Sequence, residues 1–185
     1  MKVLTFAATS SSKSINGQLA SYAARQLQGA QIEMLDINDY ELPLFSEDKE
    51  AELGQPALAK AFIDKIADSD ALIISFAEHN GSYTAAYKNI FDWASRIKPK
   101  VFQNKSMIML ATSPGPGGAA SVLATAVASA PYFDGVVKAS LSVPRFYDNF
   151  DIGKGCINDD TINRQLIAAV NSLFEHAPAK LQRAS

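Results

Sequence analysis

The feature that most constrains the fold is the stretch from Ala71 to Arg96, in which a short apolar run is followed by a polar turn and then a helix. The run at 71–76 is almost entirely apolar, which predicts a strand buried on both faces. The turn at 78–81 contains Asn-Gly, and the hydroxyl of Ser82 suits a helix N-cap. Apolar residues then recur at helical spacing, at Tyr87, Ile90, Phe91, Ala94 and Ile97. Because ligands bind beyond the carboxyl ends of strands in such units, the sequence predicts a site at 77–83.

The same alternation recurs along the chain. Strands are predicted at 3–8, 31–37, 71–76, 105–111 and 136–143, and helices at 16–27, from Pro56, after Ser82, at 119–130 and from Asp159 or Asp160, with an irregular segment at 38–55. The first, third and fourth strands are nearly continuous apolar runs, which favours the centre of a sheet, whereas the second and fifth admit polar residues. This pattern predicts an α/β, three-layer doubly wound, flavodoxin-like fold with a five-stranded parallel sheet in the order 2-1-3-4-5.

Size and composition narrow the class of protein. The 185 residues predict a single domain over 1–185, and the net charge of −2 indicates neither a nucleic-acid partner nor a strongly acidic docking face. Both histidines are isolated, so no metal site is predicted, and the single Cys156 is interpreted as an inert thiol in a reducing compartment. No apolar run approaches the ~20 residues of a membrane span. We therefore expect a cytoplasmic protein without a membrane partner.

The loop after the first strand is rich in hydroxyl groups and leads into a helix N-terminus. Backbone N–H groups, serine and threonine hydroxyls and the helix dipole together can hold a phosphate without many cations. The donors predicted here are Thr9, Ser11, Ser14 and Asn16. The alternative is a solvated serine-rich turn that only caps the helix.

Two further loops follow the third and fourth strands. Glycines at 115, 117 and 118 would let a flat ring lie against bare backbone, although an ordinary Pro/Gly turn is the alternative. Neither G-x-G-x-x-G nor the Walker pattern is present. His79 is interpreted as a hydrogen-bonded loop residue rather than an acid–base catalyst. In the predicted strand order the three loops converge, and a phosphate anchor beside two ring-sandwiching loops suits flavin mononucleotide (FMN).

The chain also resembles a known family. Glu78, Asn80-Gly81-Ser82 and the run 88–96 (KNIFDWASR) resemble the signature of the NAD(P)H-dependent FMN reductases, and Ser113-Pro114-Gly115 with Gly117-Gly118 resembles that family's second flavin loop. The resemblance spans about residues 2 to 175. It implies that residues 9–16 hold the FMN phosphate and that 78–82 and 113–118 hold the isoalloxazine ring. Where the family usually has arginine, proline and tyrosine, this chain has Ser11, Ala77 and His79, so Lys13 becomes a further candidate for the phosphate.

The full set of predicted cofactor-binding residues covers all three loops. It comprises Thr9, Ser11, Ser14, Ile15 and Asn16 in the first, Ala77, Glu78, His79, Asn80, Gly81 and Ser82 in the second, and Ser113, Pro114, Gly115, Gly117 and Gly118 in the third. The resemblance also implies a homodimer or homotetramer formed through the helix at 83–97. Trp93 widens the apolar stripe of that helix, which fits a subunit contact and equally an intrachain role.

The predicted function is an FMN-dependent oxidoreductase. Hydride would pass from NADPH or NADH to flavin N5, and the reduced flavin would pass electrons to a small acceptor such as a quinone, free flavin, azo compound or metal oxyanion. No side-chain catalyst is predicted, but backbone N–H groups at Gly117 and Gly118 would support negative charge at N1 and O2, and Asn80 would hold the pyrimidine edge. The alternatives are a flavodoxin-type electron carrier and a nucleotide- or phosphosugar-binding domain without flavin.

Overall fold

The computed structural model describes residues 1–175 and contains the predicted parallel sheet. Its five strands lie in the order β2-β1-β3-β4-β5, and each neighbouring pair is parallel. The strands are β1 Lys2–Ala8, β2 Gln31–Met34, β3 Ala71–Phe76, β4 Lys105–Thr112 and β5 Gly135–Val143. The prediction of a single domain over 1–185 includes residues beyond 175 and stays a prediction.

Helices cover both faces of this sheet and make three layers. They are α1 Ile15–Arg25, α2 Glu47–Leu53, α3 Ala57–Ala67, α4 Ala85–Ile97, α5 Ala120–Ser129, α6 Phe146–Asn149 and α7 Asp160–Asn171. The core on one face joins α1 and α7 to the sheet through residues such as Leu19 and Leu166. The core on the other face joins α3, α4 and α5 through Phe62, Ile90 and Val122. Neither face of the sheet is left to solvent, which explains the apolar central strands.

The strand register places the three predicted loops at one edge. Ala8, the last residue of β1, lies beside Phe76, the last residue of β3, and Phe76 lies beside Ala111 near the end of β4. Every residue of β3 is buried, whereas the edge strand β2 has two exposed and two half-buried residues and none that is fully buried. The sequence-based assignment of central and edge strands is therefore confirmed.

Several predicted boundaries were wrong, mostly where local capping decides them. The second strand ends at Met34 rather than 37, because Ile37–Tyr40 forms a 3-10 turn whose Asn38 N–H donates to the Asp36 carboxylate. The segment predicted as irregular contains α2, which Ser46 caps. Pro56 lies one residue before the first turn of α3, and its neighbour Leu58 is exposed rather than packed.

The predicted N-cap of α4 was also wrong. Thr84, not Ser82, occupies that position: its Oγ1 accepts a hydrogen bond from the Tyr87 N–H and donates one to the Ala8 carbonyl, 2.9 Å away. Ser82 is instead paired with His79 across the preceding turn. The first and last helices are capped by Ser14 and Asp159, in agreement with the prediction for Asp159.

Trp93 has an intrachain role, so a subunit contact is not needed to explain it. The indole is 1% exposed, its Nε1 donates to the Pro43 carbonyl at 2.8 Å, and its ring meets Phe45 edge-on at 5.1 Å. Asn89 adds a hydrogen bond from its Nδ2 to the Leu42 carbonyl. These contacts fix the segment before α2 against α4.

A short hairpin after β5 was not predicted. It follows α6 and consists of the antiparallel strands β6 Phe150–Asp151 and β7 Cys156–Ile157. Each strand has only two residues, too few to show a period in the sequence. The hairpin packs on α1, where the Tyr22 ring meets Phe150 edge-on at 6.0 Å.

The role of Trp93 can be tested by substitution with phenylalanine. We expect Trp93→Phe to lower the free energy of unfolding by about 1–3 kcal/mol, because it removes buried volume and the shorter of the two hydrogen bonds to the Pro43 carbonyl, leaving only the bond from the Asn89 Nδ2. Denaturant unfolding followed by circular dichroism measures this, with the exposed Leu58→Ala as a control that should change stability by less than about 0.5 kcal/mol. An unchanged stability together with dissociation into smaller species would instead make Trp93 a subunit contact.

Candidate functional site

The three predicted loops line one cleft of about 270 Å³ at the carboxyl edge of the sheet. Its lining comprises Thr9, Ser11, Lys13, Ser14, Ile15 and Asn16 from the first loop, Ala77, Glu78 and His79 from the second, Thr112, Ser113 and Pro114 from the third, and Tyr147. The remaining predicted residues, Asn80, Gly81, Ser82, Gly115, Gly117 and Gly118, are outside this lining. The three predicted loops therefore meet at this cleft, but parts of the second and third loops lie outside its lining.

The first loop presents hydroxyl groups and a helix N-terminus to the cleft. The Ser14 Oγ accepts hydrogen bonds from the backbone N–H groups of Asn16 and Gly17, at 3.1 and 3.3 Å. The Thr9 Oγ1 accepts one from the Ser11 N–H at 3.3 Å. Because a hydroxyl that accepts still has its own O–H, both side chains remain able to donate to an anion. Lys13 adds a positive charge on the same lining.

Asn16 has a structural role that the sequence did not indicate. Its side chain is 2% exposed, and its Nδ2 donates to the Thr112 carbonyl at 3.1 Å. Its Oδ1 accepts from the Thr112 N–H at 3.1 Å and from the Ser75 hydroxyl at 2.8 Å. The carboxamide therefore joins the start of α1 to the ends of β3 and β4, and we call this set the Asn16 brace. Because the Asn16 carboxamide is already bonded within the protein, it is poorly placed to donate to a phosphate. Its predicted contact with the FMN phosphate stays a prediction.

The second loop forms a tight hairpin turn. The His79 N–H donates to the Ser82 carbonyl at 3.0 Å, and the Ser82 N–H donates back to the His79 carbonyl at 3.1 Å. Asn80 and Gly81, between them, have φ values of 52° and 75°. Positive φ at both central residues defines a type I′ turn, for which Asn-Gly is the preferred sequence. The predicted bend is confirmed, and it presents the exposed Asn80 side chain beside the cleft.

Glu78 connects the second loop to the third. Its Oε2 accepts a hydrogen bond from the Val122 N–H, 2.8 Å away, in the first turn of α5. That helix begins after Ala119, whose side chain cannot cap and whose φ is 60°. A carboxylate is favoured at a helix N-terminus because it satisfies a free N–H and complements the dipole. Glu78 thus replaces the missing cap from a distant part of the chain.

The glycines of the third loop have different roles. A Cβ on Gly115 or Gly117 would meet no atom within 4 Å, so the backbone there is open on that side. A Cβ on Gly118 would overlap Ser142 and Pro144, its φ is 59°, and its N–H donates to the Gly115 carbonyl. Gly118 is therefore needed for packing against the end of β5. The predicted open backbone is found at Gly115 and Gly117 but not at Gly118.

The sequence analysis missed a fourth segment at the site, the chain after β5. The Arg145 N–H donates to the Gly115 carbonyl at 2.9 Å, and the Phe146 N–H donates to the Ser113 carbonyl at 3.0 Å. These bonds place Tyr147 on the lining of the cleft. The predicted strand order could have indicated this segment, because β5 is parallel to β4 and ends at the same edge of the sheet.

Other cavities adjoin or lie apart from the cleft. A larger one of about 670 Å³ shares Thr9, Ser11, Lys13 and Ser14 with it and extends along α1 to Arg25. An apolar groove of about 230 Å³ between α4 and α5 is lined mainly by aromatic side chains, including Tyr83 and Tyr87. Burial raises the pKa of both tyrosines, so their hydroxyls stay neutral at physiological pH.

Two searches of residues 1–175 gave negative results. None of the helices there combines the length and hydropathy that crossing a membrane requires. Among the same residues, no group of three or more His, Cys, Asp or Glu side chains is placed to hold a metal ion.

Comparison with known proteins identifies the family. Residues 1–147 match the family described as NADPH-dependent FMN reductase. The chain belongs to this family. The match includes all three predicted loops and the start of the segment after β5, so the cleft of this FMN reductase family member lies within the matched region.

Individual relatives agree with this assignment. The chain is 39% identical over 93 residues to an NADPH:quinone oxidoreductase of Arabidopsis thaliana, covering 50% of this chain and 46% of that one. It is 38% identical over 92 residues to an NAD(P)H-dependent FMN reductase of Pseudomonas aeruginosa, covering 50% and 48%. The chain thus spans about half the length of the curated relatives it matches.

Solved structures show the same fold over nearly the whole chain. The NAD(P)H:acceptor oxidoreductase FerB from Paracoccus denitrificans superposes with a TM-score of 0.73 at 25% identity, covering 93% of this chain and 94% of that one. An FMN-dependent NADH-azoreductase from Bacillus anthracis, solved with FMN, gives 0.67 at 10% identity, covering 95% and 100%. The second likeness concerns the fold alone.

The Asn16 brace makes a prediction about stability. We expect Asn16→Ala to lower the free energy of unfolding by about 2–4 kcal/mol, because it leaves the buried Thr112 N–H and carbonyl and the Ser75 hydroxyl without their partner. Urea unfolding of the two proteins measures the difference. Ser12→Ala, at an exposed position of the same loop, is the matched control and should shift stability by less than about 0.5 kcal/mol. A loss in Asn16→Ala no larger than that of the control would contradict a bracing role.

Proposed function

We propose that the chain is an NAD(P)H-dependent oxidoreductase that holds FMN in the cleft and delivers electrons to a small acceptor. The observation that carries the proposal is a hydroxyl-rich helix N-terminus that lines the cleft with Ser113 and Pro114, from which the third loop continues into the open backbone of Gly115 and Gly117. These are the two surfaces that a phosphate and a flat ring require. Membership of the NADPH-dependent FMN reductase family supports the same cofactor.

The donors of the first loop suit the phosphate end of FMN. Ser14 caps α1, Thr9 and Ser11 line the cleft beside it, and Lys13 supplies a cation. Hydroxyl and backbone N–H donors at a helix N-terminus bind phosphate through charge-assisted hydrogen bonds. The absence of an arginine at position 11 leaves Lys13 as the cation that the first loop supplies to this lining.

The second and third loops suit the ring. Gly81, Gly115 and Gly117 have no atom within 4 Å of where a Cβ would lie, so a planar group can approach their backbone closely. The turn at Asn80 presents a carboxamide, which can both donate to and accept from the polar edge of a pyrimidine ring. Glu78 is already bonded to α5, so its role is to hold the second and third loops together.

The contribution of the chain to the reaction is mainly positional. When bound, FMN supplies the redox chemistry, taking reducing equivalents from NADPH or NADH and giving them to the acceptor. The Gly117 N–H would stabilise negative charge at the pyrimidine edge, whereas the Gly118 N–H donates to the Gly115 carbonyl within the loop. No side chain is required as a general base.

We propose a small molecule as the acceptor. Quinone reductases and an FMN reductase occur among the relatives, which supports a quinone or free flavin. An azo compound or a metal oxyanion stays a prediction from the family resemblance. For the electron donor, we propose the class NAD(P)H, which includes both NADH and NADPH. The net charge of the chain is −2, which is consistent with a small-molecule partner rather than nucleic acid.

We also propose a cytoplasmic homodimer or homotetramer. The groove between α4 and α5 supports assembly through α4, since its half-buried aromatic residues Tyr83, Phe91 and Phe133 offer apolar surface that a partner subunit would cover. Lys88 and Asp92 form a salt bridge on the same helix, at the rim of the groove. Trp93 does not contribute, because it is buried within the chain.

Two other functions make different predictions. A flavodoxin-type carrier would bind FMN but would not oxidise free NAD(P)H, and a flavin-free nucleotide- or phosphosugar-binding domain would ignore added FMN. The family match favours the reductase over the carrier.

The proposed activity predicts a simple spectroscopic result. The purified protein, mixed with FMN, should show a flavin spectrum that bleaches on addition of NADPH or NADH without oxygen and returns on addition of a quinone. Absorbance near the flavin maximum follows each step. Flavin binding without bleaching would indicate the carrier, and no binding would indicate the flavin-free domain.

The phosphate assignment predicts a selective loss of affinity. We expect Ser11→Ala and Lys13→Met each to weaken FMN binding about three- to tenfold and to leave riboflavin binding unchanged, because each removes one contact to the phosphate only. Fluorescence titration of the apoprotein with both flavins measures this. Thr125→Ala serves as the control, since Thr125 is exposed on α5 and is outside the lining of both the cleft and the adjoining larger cavity. Equal losses for FMN and riboflavin would contradict the assignment.

A further inference from the structure

We propose that Tyr147 is a positioning residue that forms the outer wall of the cleft and packs its ring against the bound flavin. The inference rests on the proposed function and assigns a role to a segment that lies outside the three predicted loops. Tyr147 lines the cleft together with Ser113, Pro114 and His79, although it comes from the chain after β5.

The backbone that carries Tyr147 is fixed to the glycine loop. On its N-terminal side, the N–H groups of Arg145 and Phe146 donate to the carbonyls of Gly115 and Ser113. On its C-terminal side, the Asn149 Nδ2 donates to the Pro144 carbonyl at 2.8 Å and the Asn149 carbonyl accepts from the Asn158 N–H at 3.0 Å. The position of the tyrosine is therefore set by the same loop that offers open backbone to the ring.

A column of aromatic side chains supports the tyrosine from below. Its ring meets the fully buried Phe146 edge-on at 5.5 Å, and Phe146 stacks on Phe150 at 4.6 Å with an interplanar angle of 18°. Phe150 in turn packs on Tyr22 of α1. Aromatic pairs at these distances are favourable and restrict one another's orientation. Tyr147 is thus an anchored side chain rather than a free one.

The exposed face of Tyr147 is what distinguishes it within the cleft. The first loop supplies hydroxyls and a cation, whereas Tyr147 is 60% exposed and supplies an aromatic surface. A flat apolar ligand that covered this surface would remove it from water and gain stacking energy. Flavin has a flat tricyclic ring next to a polar chain and phosphate, which matches an aromatic wall beside hydroxyl donors.

The comparison with a second tyrosine provides a matched control. Tyr132 is 77% exposed, but it precedes β5 at the opposite end of the strand and lines none of the cavities described above. Substituting it with alanine removes a similar exposed ring without affecting the cleft.

The test is fluorescence titration of the apoproteins of the wild type, Tyr147→Ala, Tyr147→Phe and Tyr132→Ala with FMN and with riboflavin. We expect Tyr147→Ala to weaken binding of both flavins roughly tenfold, because the lost contact is to the part they share. Tyr147→Phe should stay within about twofold of the wild type, since it keeps the ring, and so should Tyr132→Ala. Thermal unfolding of each apoprotein should give an unchanged Tm, because the side chain removed is largely exposed.

The outcomes separate this inference from the function on which it rests. If the wild type binds flavin and Tyr147→Ala binds it equally well, the wall is disproved while the FMN proposal stands. A loss confined to FMN would place Tyr147 against the phosphate and also disprove the wall. A lowered Tm of the Tyr147→Ala apoprotein, together with equally weak flavin binding by Tyr147→Phe, would indicate a structural role and contradict stacking on the flavin. If the wild type binds no flavin, both proposals fail.

Discussion

The hydrogen bonds of the Asn16 carboxamide are the constraint on which the site depends. At the ends of the strands in a parallel sheet, backbone N–H and carbonyl groups lack partners in the sheet. The loops that begin there are held together only if other hydrogen bonds connect them. Asn16 supplies such bonds by pairing with both the N–H and the carbonyl of Thr112 while accepting from Ser75. A buried network of this kind is stable only when each member is satisfied. The first turn of α1 is thereby held at the junction of β3 and β4, where the second and third loops begin.

Two more long-range contacts extend this arrangement. Thr84 ties the start of α4 to the end of β1, and Glu78 ties the second loop to α5. In both contacts a side chain that satisfies an N–H group in the first turn of a helix also connects segments that are far apart in sequence. The helices therefore begin where the loops need them, and the rigid sheet determines the geometry of the cleft.

The strand order was predicted correctly because the position of a strand in the sheet depends on how apolar its residues are. Continuous apolar runs identify central strands, and the polar residues of β2 and β5 identify edges. Placing strand ends together then predicted that the loops after β1, β3 and β4 meet, as they do. Which of the predicted residues touch a cofactor stays a prediction.

What the sequence could not predict depends on partners distant in the chain. Ser82 and Thr84 are equally good caps locally, and only the Ala8 carbonyl decides between them. For Trp93 the sequence left a subunit contact and an intrachain role equally open, and only the contacts with Pro43 and Phe45 favour the intrachain role. Gly118 cannot be told from Gly117 without Ser142 beside it. The two-residue strands β6 and β7 are too short to leave a pattern.

The capping of α5 by Glu78 has a consequence for communication across the molecule. The same carboxylate lines the cleft and satisfies a backbone N–H of a helix whose other residues, including Ala126 and Ser129, line the apolar groove against α4. A ligand that drew Glu78 away would leave the first turn of α5 unsatisfied, and a ligand that held it in place would reinforce that turn. Such a ligand would link occupancy of the cleft to the rigidity of the helix that lines the groove, and the linkage would act equally in both directions.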